Sequence, residues 1–303
     1  MAVMTSSSFA KALYPGVNEW FMDSYNEYQV EYTDLFDSDK SSRQWEEDVG
    51  FSGLGLLRVK NETSAIEFDS MKQGFTTRYV HVTYALGFGI SREMYDDDQY
   101  GVVGKKKAQS LAYVARQTKE INGANVYNRA FNNSYLYGDG KEMISSSLPN
   151  VSGGTWSNTL STAADLSEAA LEQADIDIEG FTDDRGNKIA IVPKTLIIPK
   201  ELKFTASRIL KGEYQVDSAE RNINALKTMG IIPEIKVNHY LTDTDAWFIR
   251  TSLPHSGLKY FERRADEFST DNDWNTEVAQ FKVIGRYSFG ISDKRAIYGS
   301  AGA

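Results

Sequence analysis

Hydrophobic and polar positions alternate with a period of two along two stretches of the chain. Between residues 76 and 90, Thr76, Arg78, Val80, Val82, Tyr84, Leu86, Phe88 and Ile90 share one parity, with Tyr79, His81, Thr83 and Ala85 on the other. That pattern, rich in β-formers, predicts one long strand. Near the end, Phe281, Val283, Tyr287, Phe289 and Ile291 alternate with Gln280, Lys282, Arg286 and Ser288, and Ile284 breaks the parity. Over residues 105–131 the period becomes helical, with Ala108, Leu111, Ala112, Ala115, Ile121 and Ala124 as the buried side. At 1.5 Å per residue such a helix spans roughly 40 Å, the length of a spine. A half-buried strand at the end of the chain needs a non-local partner, and the apolar side of this helix is the predicted one.

Ahead of the long strand, residues 56–59 and 65–69 read as its partners, with polar breaks at 60–64 and 69–74. The resulting hairpin has little to bury and exposes its edges, so it is marginal unless it lies on another surface. The alternative is an ordinary hairpin folded on its own sheet. Earlier still, Pro15 opens a helix in which Glu19, Asp23, Glu27 and Glu31 recur every four residues. Phe21, Tyr25, Tyr28, Tyr32 and Leu35 fall on another face. Like charges at this spacing repel, so either a partner supplies counter-charge or the acids are solvated while the aromatic stripe packs on the chain's own core.

Residues 145–264 read as an α+β unit. Asp165 and Glu168 make a capping box for a helix carrying Leu171, Ala174 and Ile178. A turn at 183–187 precedes strands at 188–192 and 195–198, and Pro199 opens a helix closed by Gly212. Further strands are predicted at 231–241 and 246–251. The fold class is therefore α+β.

Charge changes the picture more by its distribution than by its total. The 303 residues carry −9, from 33 Lys and Arg against 42 Asp and Glu, which argues against a dedicated nucleic-acid clamp. Residues 1–50 hold three basic and ten acidic groups, a local −7. Residues 101–131 hold Lys105, Lys106, Lys107, Arg116, Lys119 and Arg129 against Glu120, a local +5 preceded by Asp96, Asp97 and Asp98. That basic row suits either an anionic polymer or the acidic arm; the bland reading is a solvated face.

Candidate chemistry is sparse. With no cysteine, disulfides, thiolate metal sites and thiol nucleophiles are excluded. His81, His239 and His255 have no ligand spacing, Asp243 and Asp245 read as a polar loop, and no phosphate loop, zinc helix or nucleophile elbow occurs. Gly87-Phe88-Gly89 lacks the third glycine of a dinucleotide loop, Arg92 standing in its place. No metal, cofactor or catalytic residue is expected. The first sixteen residues lack a signal-peptide core, and no apolar run approaches membrane length, so a soluble, non-secreted protein is expected.

The order of acidic arm, long hairpin, spine helix, α+β unit and returning strand resembles the major capsid proteins of tailed bacteriophages with the Hong Kong 97-type fold. Three segments resemble the Mu-type head-subunit branch in particular: YALGFGISREM from Tyr84 to Met94 with Asp97-Asp98-Gln99-Tyr100, ANVYNRAF from Ala124 to Phe131, and ADLSEA from Ala164 to Ala169. The resemblance implies an N-terminal arm at 1–50, an E-loop at 51–88, a peripheral domain combining 89–144 with 265–303, and an axial domain at 145–264. It implies a structural, non-enzymatic virion protein, assembled in the host cytoplasm into hexamers and pentamers around double-stranded DNA held by non-specific contact. Portal, decoration and scaffold proteins are its implied partners. The implied intersubunit contacts are Glu19, Asp23, Glu27, Glu31, Lys60, Asn61, Glu62, Lys72 and Arg78. Lys105, Lys106, Lys107, Arg116 and Lys119 would face the lumen or an arm. Lys60 and Lys72 lie where some relatives form Lys-to-Asn crosslinks, but no acceptor is matched. On this reading the first ninety residues find their burial on sister copies. Two rivals remain: a soluble oligomeric α+β enzyme of unknown chemistry, and a tail or scaffold component.

Overall fold

A computed structural model describes residues 7–97, 103–215, 222–253, 257–273, 276 and 278–303. The chain opens with helix α1 (Ser7–Glu27), the short helix α2 (Tyr32–Leu35) and strand β1 (Asp37–Lys40). Strands β2 (Trp45–Phe51), β3 (Gln73–Val80) and β4 (Val82–Ile90) follow, then helices α3 (Arg92–Asp96) and α4 (Lys105–Asn128). Next come β5 (Leu148–Pro149), β6 (Thr155–Trp156), α5 (Glu168–Glu179), β7 (Pro193–Ile198), α6 (Lys203–Lys211) and α7 (Ala225–Met229). Strands β8 (Glu234–Val237), β9 (Trp247–Thr251), β10 (Leu258–Asn272), β11 (Ala279–Ile291) and β12 (Ile297–Ser300) complete the chain.

The alternating stretch at 76–90 is two strands. It divides at His81, whose buried ring bonds to Ser288 Oγ through Nδ1 (2.9 Å) and to Ser41 Oγ through Nε2 (3.0 Å). Upstream, β3 pairs antiparallel with β2; downstream, β4 joins the sheet β1-β10-β11-β4 as its outer strand. Aromatic pairs fasten β4 to β11, Tyr84 stacking on Tyr287 at 4.8 Å and Phe88 on Phe281 at 5.1 Å. Helix α4 lies across this sheet. Ala108, Leu111 and Ala112 pack with Phe268, Phe281 and Val283, the pairing of spine and terminal strand that the sequence pattern predicts. Ile284 lies on the less buried face of β11 with Lys282 and Arg286, opposite a β-bulge in β10, where the register slips between Arg264↔Arg286 and Glu267↔Ile284.

A second sheet has the order β12-β9-β7-β8, with β7 and β8 parallel and connected through α6 and α7. Helix α5 covers it through Leu171, Ala174 and Ile178. Its N-cap is Ser167, whose Oγ accepts the Ala170 N–H at 3.2 Å; Asp165, the expected cap, accepts the N–H of Ala303 instead. The strand expected at 188–192 reduces to one bridge between Thr182 and Lys188. Residue 264, the expected domain boundary, lies inside β10, and β12 leaves the first sheet to pair with β9. Tyr127, Ile197, Phe248, Tyr260, Tyr287 and Ile297 form a core shared by the two sheets.

The arm helix is buried on its own body. Val17 and Phe21 are fully enclosed, Phe21 stacking on Phe268 at 4.8 Å. This corrects the expectation that the whole arm seeks burial elsewhere: its aromatic stripe finds the sheet and spine of its own chain. Lys119, expected on an outward basic face, is also buried. Its ammonium lies 2.9 Å from Asp266 of β10, among the rings of Tyr32, Tyr260 and Tyr287, and Tyr25 of α1 donates its hydroxyl to the same carboxylate at 2.5 Å. Ile121, expected inside, is exposed. On this turn of α4 the buried side goes to Lys119 and Glu120, because partners for both charges are in place there.

The Asp266→Ala variant leaves the Lys119 ammonium buried without a counter-charge. It is expected to lose about 3–5 kcal/mol of stability in urea titration. Asp266→Leu combined with Lys119→Met is expected to lose much less.

Candidate intersubunit surface

The hairpin stem of β2 and β3 closes where Ser52 N–H donates to the Lys72 carbonyl and Lys72 N–H to Ser52 Oγ, each at 3.0 Å. Beyond it two extended limbs run to a tip at which Asn61 O accepts the Ser64 N–H, with Thr63 at φ +68°. The strands expected at 56–59 and 65–69 do not form; no backbone hydrogen bond joins the limbs between stem and tip. Their large apolar side chains, Leu54, Leu56, Leu57, Val59, Ile66, Phe68 and Met71, are all exposed, so no packed face rewards the entropy of ordering a ladder. The register is nonetheless marked, because Arg58 pairs with Glu67. Counted from that pair, Leu57 opposes Phe68 and Val59 opposes Ile66, so four apolar side chains fall on one face. All four are exposed, Val59 at 94% and Phe68 at 97%. The second limb is held to the body by Arg185, which pairs with Asp69 Oδ2 at 2.6 Å and donates to the Ser70 carbonyl.

The expected contact residues divide into two groups. Lys60, Asn61, Glu62 and Lys72 stand exposed on the hairpin, and Glu19, Asp23 and Glu27 on α1. Others are engaged internally. Arg78 pairs with Glu47 across the stem (2.5 Å), 5.2 Å from the Trp45 ring. Glu31 does not share the helical face of Glu19, Asp23 and Glu27, since α1 ends at Glu27. It accepts the His239 backbone N–H at 3.0 Å and meets the ring Nδ1 at 2.5 Å. The basic row is split as well. Arg116 donates to the Tyr25 carbonyl at 3.1 Å and stacks 4.0 Å from that ring. Lys107 donates to Gly89 O at 3.2 Å, and Lys105 lies 6.0 Å from the Trp20 ring. Lys106 is exposed, and Lys119 is the buried partner of Asp266. His255 and Asp98 lie outside the described residues.

Sequence reasoning missed Glu120, although a single acid among six bases was a signal. Its carboxylate caps α2, accepting the N–H of Glu31 at 3.1 Å and of Tyr32 at 2.8 Å. Burial pushes this carboxyl up to about 7 despite the two donors. The neighbouring segment ties the arm to the second sheet and to α4: Asp34 pairs with Lys236 at 3.0 Å and Arg250 with Asp37 at 2.6 Å, while Tyr127 of α4 donates to Leu35 O. Beside β4, two adjoining hollows of about 270 and 250 Å³ open between that strand and α4. They share Tyr84 and Tyr287; Val82, Val126 and Arg129 line one, Leu86 and Val114 the other.

In comparisons with known proteins, the family described as "Phage capsid protein" matches residues 74–300. The fold is similar to a virus-like particle protein from Pyrococcus furiosus, with TM-score 0.53 and 13% identity, covering 95% of this chain and 99% of that one. It is similar to the procapsid of bacteriophage JBD30, with TM-score 0.52 and 12% identity over 97% of this chain and 75% of that one. The capsid of a native GTA particle gives TM-score 0.52 and 13% identity, covering 90% of each chain. Comparison with curated proteins gives no match.

Two outcomes are expected of the purified single copy. Trypsin should cut first at Arg58 and Lys60 on the exposed limb, read by mass spectrometry, while α1 stays intact. Glu120 holds its proton more tightly in the folded chain than in the unfolded one, where the ordinary value is 4.5. Its contribution is therefore fully present below about 4.5 and is lost as pH rises through about 7. Urea midpoints measured from pH 5 to 8 should show that slope, and Glu120→Gln should flatten it.

Proposed function

We propose that this chain, which belongs to the phage capsid protein family, is the major head subunit of a tailed phage. It is a structural rather than catalytic protein, built on the Hong Kong 97-type plan and of the Mu-type branch. Copies assemble into hexamers and pentamers of an icosahedral shell that encloses double-stranded DNA, formed in the host cytoplasm with portal, scaffold or decoration proteins as partners.

The observation that carries this reading is the pair of limbs at 53–71. A folded chain that encloses Val17 and Phe21 of its arm leaves one hairpin face of Leu57, Val59, Ile66 and Phe68 in water. Isolated apolar residues on a surface are ordinary, but four grouped on one projecting face mark a contact. Capsid-like architecture supplies the partner, other copies of the chain, and many small interfaces then add to a large buried area. In this reading the sheet containing β4, β10 and β11, with α4, is the peripheral domain. The sheet of β7, β8, β9 and β12 is the axial domain. Lys60, Asn61, Glu62 and Lys72 on the loop, with Glu19, Asp23 and Glu27 on α1, are the contact residues proposed. Lys105 and Lys106 meet packaged DNA or a neighbour's arm.

Expression of the chain, followed by size-exclusion chromatography and negative-stain microscopy, tests the reading. Shells or capsomer rings are expected. A small defined oligomer favours an enzyme, and tubes or stacked rings favour a tail component. Lys105→Glu with Lys106→Glu separates the two roles of the basic pair: shells lost at low salt implicate the arm, and intact but empty shells implicate DNA.

A further inference from the structure

We propose that the turn at residues 28–34, between α1 and α2, is a proton-operated latch, seated on the spine helix while the Glu120 carboxyl carries a proton and loosened once that proton leaves. The device lies within one chain, so it goes beyond the reading of the chain as a shell subunit and does not depend on it.

The turn is short and anchored at both ends. Upstream, Val17 and Phe21 of α1 are enclosed and Tyr25 is bonded to Asp266. Downstream, Leu35 and Phe36 sit in the core shared by the two sheets. Between these anchors the main chain is held to α4 by a single carboxylate. Glu120 is 1% exposed, and its two oxygens accept the N–H groups of Glu31 at 3.1 Å and Tyr32 at 2.8 Å. The fit is close, because a Cβ on Gly123 of α4 would stand 3.3 Å from Tyr32 Cβ. The Asp34–Lys236 pair adds less, since both of its side chains are more than a third exposed.

Charge makes this seat conditional. A buried carboxylate needs a cation, and among the described residues no basic group pairs with Glu120. Arg116, one turn earlier on α4, gives its guanidinium to the Tyr25 carbonyl and ring, and Lys119 is turned to Asp266. The turn itself presents another acid, Glu31, whose own carboxylate lies on His239. The Tyr240 hydroxyl stands near both acids, and Glu262 and Asp266 of β10 act on Tyr32 from the sheet side. A protonated Glu120 is neutral and still offers lone pairs to the two N–H groups. An ionised one bears the cost of burial and the repulsion of Glu31, both relieved when the turn lifts and water reaches the carboxylate. Burial, opposed by the two N–H groups, holds the carboxyl at about 7, whereas on an opened helix it returns to the ordinary 4.5. The closed form therefore binds the proton more tightly, and closure favoured in acid is lost as pH climbs through about 7. A local opening tied to one proton in this way is a switch operating near neutral pH.

Hydrogen exchange of the full-length chain reads the latch. With the intrinsic chemical rate divided out, protection at residues 31, 32 and 34 should fall about 30-fold between pH 5.5 and 8, the ratio that carboxyl values of about 7 closed and 4.5 open produce. At pH 8 exchange there should be insensitive to dilute urea, the mark of a local opening, while exchange in β11 accelerates with urea. Glu120→Gln keeps a side-chain carbonyl for the N–H groups and has no proton to lose, so it should remove the pH dependence. His239→Gln should leave it, since that ring and Glu31 are the other titrating pair at the turn. Gly123→Ala, whose methyl presses on Tyr32, should lower protection at both pH values and keep their ratio. Carbon-13 NMR of the Glu120 carboxyl in the unsubstituted chain supplies a readout free of any variant, with a midpoint near 7 expected. Protection that does not move with pH, a fall that survives in Glu120→Gln or vanishes in His239→Gln, exchange at the turn as urea-sensitive as in β11, or a carboxyl midpoint at the ordinary 4.5 overturns the latch.

Discussion

Asp266 is where three separate parts of the chain are held together. It projects from β10 toward the helices and takes the ammonium of Lys119 from α4 and the hydroxyl of Tyr25 from α1 on one carboxylate. Buried charge tolerates no substitute partner, so the register of the spine on the sheet and of the arm on the spine are set together. The aromatic rings around Lys119 exclude water, which strengthens the pair and raises the penalty for any arrangement that separates it. The arm corner at residues 31–37 then follows. With α1 docked, Glu31 and Tyr32 present their N–H groups to Glu120, and Asp34 and Asp37 reach Lys236 and Arg250 of the second sheet.

One consequence is a division of labour within the first ninety residues. The arm is a tie that joins both sheets of its own chain, while the hairpin projects beyond the stem without a core. His81 sits at the division. Burial, aided by Arg286, lowers its pKa, so a neutral ring bridges Ser41 and Ser288 at the point where β3 leaves the sheet direction of β4. The hairpin is thus rigidly rooted and unsupported at its far end. Its four apolar side chains, Leu57, Val59, Ile66 and Phe68, stay in water within the single chain.

The contrasts with the sequence reading have specific causes. Periodicity located β11, α4 and their contact because both are long and strongly patterned. It merged β3 with β4, because alternation continues through His81 while the pairing partner changes. It placed Ile121 inside and Lys119 outside, because a hydrophobic count has no knowledge of Asp266, 147 positions away in the chain. Glu31 fitted the acidic series by spacing alone, and the series fails because the helix ends at Glu27. The α5 cap was legible to within two residues, Ser167 in place of Asp165, where Ser and Asp are chemically interchangeable as acceptors.

The amino-acid sequence by itself determined the spine helix α4, the strand β11, the helices α5 and α6 and the strands β7 and β9, the α+β class, the separation of an acidic arm from a basic spine, and the resemblance to capsid subunits. These follow from local periodicity, turn chemistry and charge, which act over a few residues. Tertiary structure alone decided which charges are free and which are buried, that the arm closes on its own chain, that β12 crosses to the second sheet, and that the hairpin limbs share one apolar face left in water. Each of these depends on groups far apart in the chain meeting in a low-dielectric interior, or failing to meet, and no local pattern carries that information.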